Sequence, residues 1–107
     1  MARVQNDGFY EVYWPRGARQ NKRKPLAPRL DALEGKTIAQ LWTFGFRGDQ
    51  VFELLEEGLN SRYKGIRFLS WKDFGNIHGA DERQVIAALP ERFKELGVDA
   101  VISGMAC

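Results

Sequence analysis

Three apolar runs of strand length alternate with two helical patterns between residues 36 and 107, and this alternation restricts the fold more than any other feature of the chain. Thr37-Ile38-Ala39-Gln40-Leu41-Trp42-Thr43-Phe44 is nearly continuous in apolar side chains, as a strand covered on both faces requires. Residues 66–71 and 98–103 predict a second and a third strand. Between the first two, Asp49 stands as an N-cap, and Val51, Phe52, Leu54, Leu55, Leu59 and Tyr63 recur at helical spacing. Glu53, Glu56 and Glu57 occupy the other side of that helix, and Gly65 closes it. The second helix opens at Asp81 with Gln84 as its capping-box partner, and Val85, Ile86, Leu89, Phe93 and Leu96 form its stripe. Pro90 predicts a kink or a break into two short helices, and Gly97 is placed as the residue just past the end.

Strand and helix in this order mean a parallel sheet with right-handed crossovers. The fold class expected is therefore α/β: a βαβαβ parallel sheet over residues 36–107, half of a doubly wound domain. A sheet of three parallel strands leaves much apolar surface bare. A partner chain that completes the sheet is the expected remedy, with truncation as the alternative. Residues 1–35 precede the half-domain as an N-terminal strand (Phe9, Tyr10, Glu11, Val12, Tyr13, Trp14) and an extended basic arm. Pro25 and Pro28 favour an extended path there, with Leu26, Leu30 and Leu33 as its expected anchors. Trp14, Trp42 and Trp71 are expected to serve as packing residues, with Trp71 also placed to line a pocket.

Charge sorts with this division. Arg16, Arg19, Lys22, Arg23, Lys24 and Arg29 lie between Val12 and Leu30 with no acidic residue among them. The rest of the chain carries 10 basic against 14 acidic residues. Because nothing inside the run can stack bases and no nucleic-acid-binding pattern follows it, the expected partner is not nucleic acid. An arm that wraps an acidic neighbouring subunit, or a solvated arm, fits better. No apolar run approaches the roughly 18 residues of a membrane span, and residues 1–12 lack a secretory apolar core. With a single cysteine there is no internal disulfide, and a cytoplasmic location is expected. One Cys and one His exclude a Cys/His zinc cluster within the chain.

Ligands of open α/β sheets bind beyond the carboxyl ends of the strands, where the strand order reverses. An order of 2-1-3 brings two segments to that place: Phe44-Gly45-Phe46-Arg47-Gly48-Asp49, and Gly104-Met105-Ala106-Cys107. The first offers backbone N–H groups at a helix start and the Arg47 guanidinium, a combination suited to a carboxylate or phosphate, though a tight turn with a solvated Arg explains it equally. Phe44, Gly45, Arg47, Gly48, Asp49 and Trp71 are the candidate substrate-binding residues. Cys107 is the candidate nucleophile or redox group, the competing reading being a small buried hydrophobe. A terminal carboxylate on the same residue raises a thiol pKa unless a cation such as Arg47 offsets it. His78, the only histidine, is the candidate acid/base group.

Lys24-Pro25-Leu26-Ala27-Pro28-Arg29-Leu30, then Leu33-Glu34-Gly35-Lys36-Thr37-Ile38, then Asp99-Ala100-Val101-Ile102-Ser103-Gly104 resemble the N-terminal half of the UGSC family over roughly residues 24–107. That family is named for a selenocysteine- or cysteine-Gly-Ser-Cys motif. The resemblance implies an α/β fold in the style of the aspartate/glutamate racemase group, with the motif just after the third strand. It aligns Cys107 with the first motif position or the residue before it, and Gly-Ser-Cys does not follow. A heteromer split at the active site, or a frame ending at a selenocysteine codon, accounts for that departure, and the split is the expectation adopted. Function then follows as a small subunit of a hetero-oligomeric enzyme, acting on a small carboxylate or carbonyl substrate by thiol redox or addition/elimination chemistry. No cofactor is specified beyond a metal held jointly by Cys107 and the partner. The alternative is a non-catalytic scaffold or regulatory subunit that clamps its partner with the basic arm.

Overall fold

Side chains on a strand alternate between its two faces, and in the computed structural model, which describes residues 8–104, the two faces of the first strand meet different helices. The elements run β1 (Thr37–Leu41), α1 (Gly48–Arg62), β2 (Arg67–Leu69), a 3-10 turn (Trp71–Asp73), α2 (Glu82–Leu96) and β3 (Ala100–Ser103). Both neighbours of β1 are parallel to it, in the order β2-β1-β3. Register places Ile38 opposite Phe68 and Ala100, and Leu41 opposite Ser103. The α/β class and the 2-1-3 order are as the sequence predicts.

Ala39 and Leu41 point toward α2, where they cluster with Leu69, Phe74 and Leu89 beside Phe93, Leu96 and Val98. Ile38, Gln40 and Trp42 take the other face with Phe52 of α1, all nearly inaccessible. Burial of each such apolar side chain stabilises the fold by about 1.5–3 kcal/mol. Past that core the cover is thin. Within α1 only Gly48 and Phe52 are buried, while Leu54 is 67% exposed and Val51 47%. Along β3, Val101 and Ser103 are exposed.

Several local expectations change. Residues 9–14 form no strand; Tyr10, Val12, Tyr13 and Trp14 are 77–100% exposed, so Trp14 packs against no core. A β-forming run acquires strand character only where a neighbour accepts its ladder, and the described sheet offers it none. The radius of gyration is 21.6 Å, against about 13–14 Å for a compact chain of this length. Leu26 is 82% exposed and anchors little; Leu30 and Leu33 are better covered, and this connector lies beside Asp99, Ala100 and Val101 at the start of β3. Each strand is shorter than its apolar run, because Trp42 makes only an isolated bridge to Asn76 and residues 71–73 coil into the 3-10 turn.

Asp49 lies in the first turn of α1, whose cap is Arg47 in the left-handed region without a side-chain cap bond. Asp81 does cap α2, yet through its backbone: its carbonyl accepts from the N–H groups of Gln84 and Val85, and no capping box forms. Pro90 sits inside a continuous helix. Ile86, whose carbonyl loses its partner, is 50% exposed, so water can take the place of the missing N–H. Pro90→Ala should therefore raise stability by about 1–2 kcal/mol, the restored hydrogen bond outweighing the lost unfolded-state restriction. Urea denaturation at fixed pH checks this; an unchanged midpoint would mean that the helix tolerates the ring at no cost.

Candidate functional site

The turn leaving β1 is bound together by one indole. Trp42 Nε1 donates to the Gly45 carbonyl at 2.7 Å, closing the turn, while the face of the ring lies against Gly48. A Cβ placed on Gly48 would overlap the indole and come within 2.7 Å of its Cδ1. Phe44, Phe46 and Arg47 all have positive φ, at 63°, 55° and 48°, and they are the only non-glycine residues among those described to do so. Each such residue costs about 1–2 kcal/mol, which persists only where the surroundings enforce it. Such strain gathers at ligand-binding and catalytic loops. Beside the turn, the buried Thr43 Oγ1 has no hydrogen-bond partner among the described residues.

Two cavities open on either side of Trp42 and Phe52. The first, of about 370 Å³, is walled by Gly45, Phe46 and Gly48 from the turn, Val51 and Leu55 from α1, and Ile102, Ser103 and Gly104 from the end of β3. The β1 turn and the β3 end thus meet where the strand order reverses. Gly104 is drawn in by its N–H, which donates to the Leu41 carbonyl at 2.6 Å, and a Cβ there would press on Phe52 Cζ at 3.2 Å. The second cavity, of about 600 Å³, lies toward β2 and is polar: Gln40, Asp49, Glu53, Glu56, Ser70 and Lys72 line it with Trp71. Gln40 is buried, and its Nε2 donates to Glu56 Oε1 at 2.7 Å. Glu56→Ala leaves that buried N–H without its acceptor and should cost about 1–3 kcal/mol. Pairing it with Gln40→Leu in a double-mutant cycle should recover most of the loss; additivity would mean that the bond contributes nothing.

The candidate residues divide among these features. Gly45 and Gly48 line the apolar cavity, whereas Asp49 and Trp71 line the polar one. Phe44 lines neither and packs instead against Trp42, with the rings tilted and their centroids 4.9 Å apart, and edge-to-face against Trp71 at 5.5 Å. Arg47 is exposed and lines neither cavity. His78 also stands outside both, its Nδ1 3.3 Å from Glu82 Oε2 and its backbone N–H bonded to Asn76 Oδ1. Cys107 lies outside the described residues. Among those described, no group of three or more His, Cys, Asp or Glu is arranged to hold a metal, and no helix is long and apolar enough to cross a membrane.

Sequence reasoning missed Gln40 and the contribution of Ile102 and Ser103. Gln40 had a signal: it is the one polar side chain in the interior of the first strand. The strained turn had none, since Phe and Arg are not residues that announce a positive φ.

Neither the curated proteins nor the solved structures contain a match to this chain. The model of the UGSC family matches residues 11–107, which include the basic arm, both helices and all three strands. On that match over nearly the whole sequence, the chain belongs to the UGSC family.

Proposed function

We propose that the chain is the small subunit of a hetero-oligomeric enzyme whose active site forms at the subunit interface, around the β1 turn and the residues that follow β3. The observation that carries this reading is the cavity shared by the strained 44–47 turn and the end of β3, three residues before Cys107. A cavity of about 370 Å³ suits a small molecule. Backbone N–H groups at the start of α1 favour a carboxylate or a polarised carbonyl oxygen there. Cys107 supplies the thiolate for redox chemistry or for addition to, and elimination from, the substrate. Arg47, exposed at the same turn, supplies positive charge for the approach of an anion.

A partner chain completes the doubly wound sheet in this reading. Support comes from β3, an edge strand of the described sheet whose Val101 and Ser103 are exposed, a side that solvent covers poorly. The mass and composition of the native particle test it. A second protein carrying further α/β units is expected, and a homogeneous monomer of this chain would sink the proposal. A second reading, a non-catalytic scaffold subunit, draws on the solvent-exposed arm. It predicts turnover that survives loss of Cys107.

A further inference from the structure

The arm and the outer side of α1 match each other in two respects. From Tyr10 to Trp14 the arm presents aromatic and aliphatic side chains that are 77–100% exposed, and from Arg16 to Lys24 it presents five cations and no acid. Around α1, advancing 100° per residue, Glu53 and Glu57 stand next to Leu54, and Leu54 next to Val51. All four are exposed. One strip of the helix is therefore acidic and the adjoining strip apolar, while the arm is apolar first and basic after. The match is not made within one molecule. Residues 8–32 are exposed throughout, and the chain extends over 70 Å in its longest dimension against 32 and 29 Å in the others.

We infer that residues 8–24 of one copy dock on the α1 face of a second copy, with the aromatic segment against Val51 and Leu54 and the basic segment against Glu53 and Glu57. A two-fold arrangement satisfies both molecules at once, since each gives an arm and receives one. Net charge favours this occupant over a polyanion: the six cations of residues 12–30 face a remainder of the same chain in which acids outnumber bases, 14 to 10. This goes beyond the enzymatic reading and does not depend on it: of the docking residues only Val51 reaches the wall of the apolar cavity, and neither Leu54, Glu53, Glu57 nor the arm lines it.

Sedimentation equilibrium of the full chain at low and high salt tests it. A dimer near 50 mM salt that dissociates toward monomer near 500 mM is expected, since exposed ion pairs are screened. Arg19→Glu, Lys22→Glu and Arg23→Glu together should weaken the dimer about tenfold or more, as should Glu53→Lys with Glu57→Lys. Joining the two sets in one chain should restore it, because each reversed arm again meets an opposite charge. A wild-type chain that is monomeric at low salt overturns the inference, and so does a dimer indifferent to both sets. Binding of that monomer to anionic vesicles or to nucleic acid would assign the arm to those partners instead. Sedimentation does not report turnover, so this result and the result for the active site fail separately.

Discussion

Gly48→Ala lowers the stability of the fold by about 2–3 kcal/mol, the upper part of the range for an overpacked contact. The added methyl has nowhere to go, because it would overlap the indole at Nε1, Cε2 and Cδ1, which are parts of a rigid ring and not the end of a flexible chain. Trp42 is 9% exposed and held by its bond to the Gly45 carbonyl, so the ring can move only by giving up that bond. Two further effects follow from the same displacement. The turn loses the tie that offsets the positive φ of Phe44, Phe46 and Arg47, and the wall shared by the two cavities shifts. Thermal unfolding and near-ultraviolet circular dichroism measure the two consequences independently. A melting temperature within a degree of the parent, with an unchanged aromatic spectrum, would show that the Trp42 contact is not what holds the turn.

Gly58→Ala is the natural comparison. It changes the same residue type in the same helix, yet nothing lies within 4 Å of the added Cβ. There the substitution should stabilise the helix by about 0.5–1 kcal/mol through propensity alone. Opposite signs at two glycines ten residues apart would isolate the close approach to Trp42 as the cause.

The contrast also marks what the sequence can and cannot disclose here. The alternation of apolar runs with amphipathic helices specifies a parallel βαβαβ order, because side-chain periodicity is a local property. The 2-1-3 order then places the turn after β1 beside the end of β3, and the cavity lined by Gly45, Gly48 and Gly104 lies there. The conformation of the turn is not a local property. Phe44 and Arg47 adopt positive φ because Trp42 and Gly48 close on each other from opposite ends of the loop, a tertiary constraint that propensity does not encode. Asp49 has the composition of an N-cap and loses that position to Arg47 for the same reason. Residues 9–14 fail in the reverse sense: their β propensity is real, but the ladder that would express it is absent from the described sheet.

On the proposed function, Cys107→Ser in the reconstituted complex should reduce turnover by about 10³-fold or more while leaving assembly intact. Serine keeps nearly the volume of cysteine, so packing changes little. What it loses is acidity: a thiol ionises near pH 8.5 and reacts as the thiolate, while an unassisted hydroxyl stays protonated and is a weak nucleophile. Position in the sequence links that chemistry to the proposed site, since Gly104 lines the cavity together with Phe52 and Cys107 follows it by three residues. A cation close to the thiol favours its ionisation. Arg47→Gln then becomes informative alongside the serine variant. Where Arg47 supplies that cation, its removal should shift the alkaline rise of the turnover profile to higher pH, and the serine variant should show no such rise. Retained turnover in the serine variant, with assembly unchanged, would move the reacting group to the partner chain. Cys107 would then be a neighbour of the chemistry, and the β1 turn would remain this chain's contribution to substrate binding.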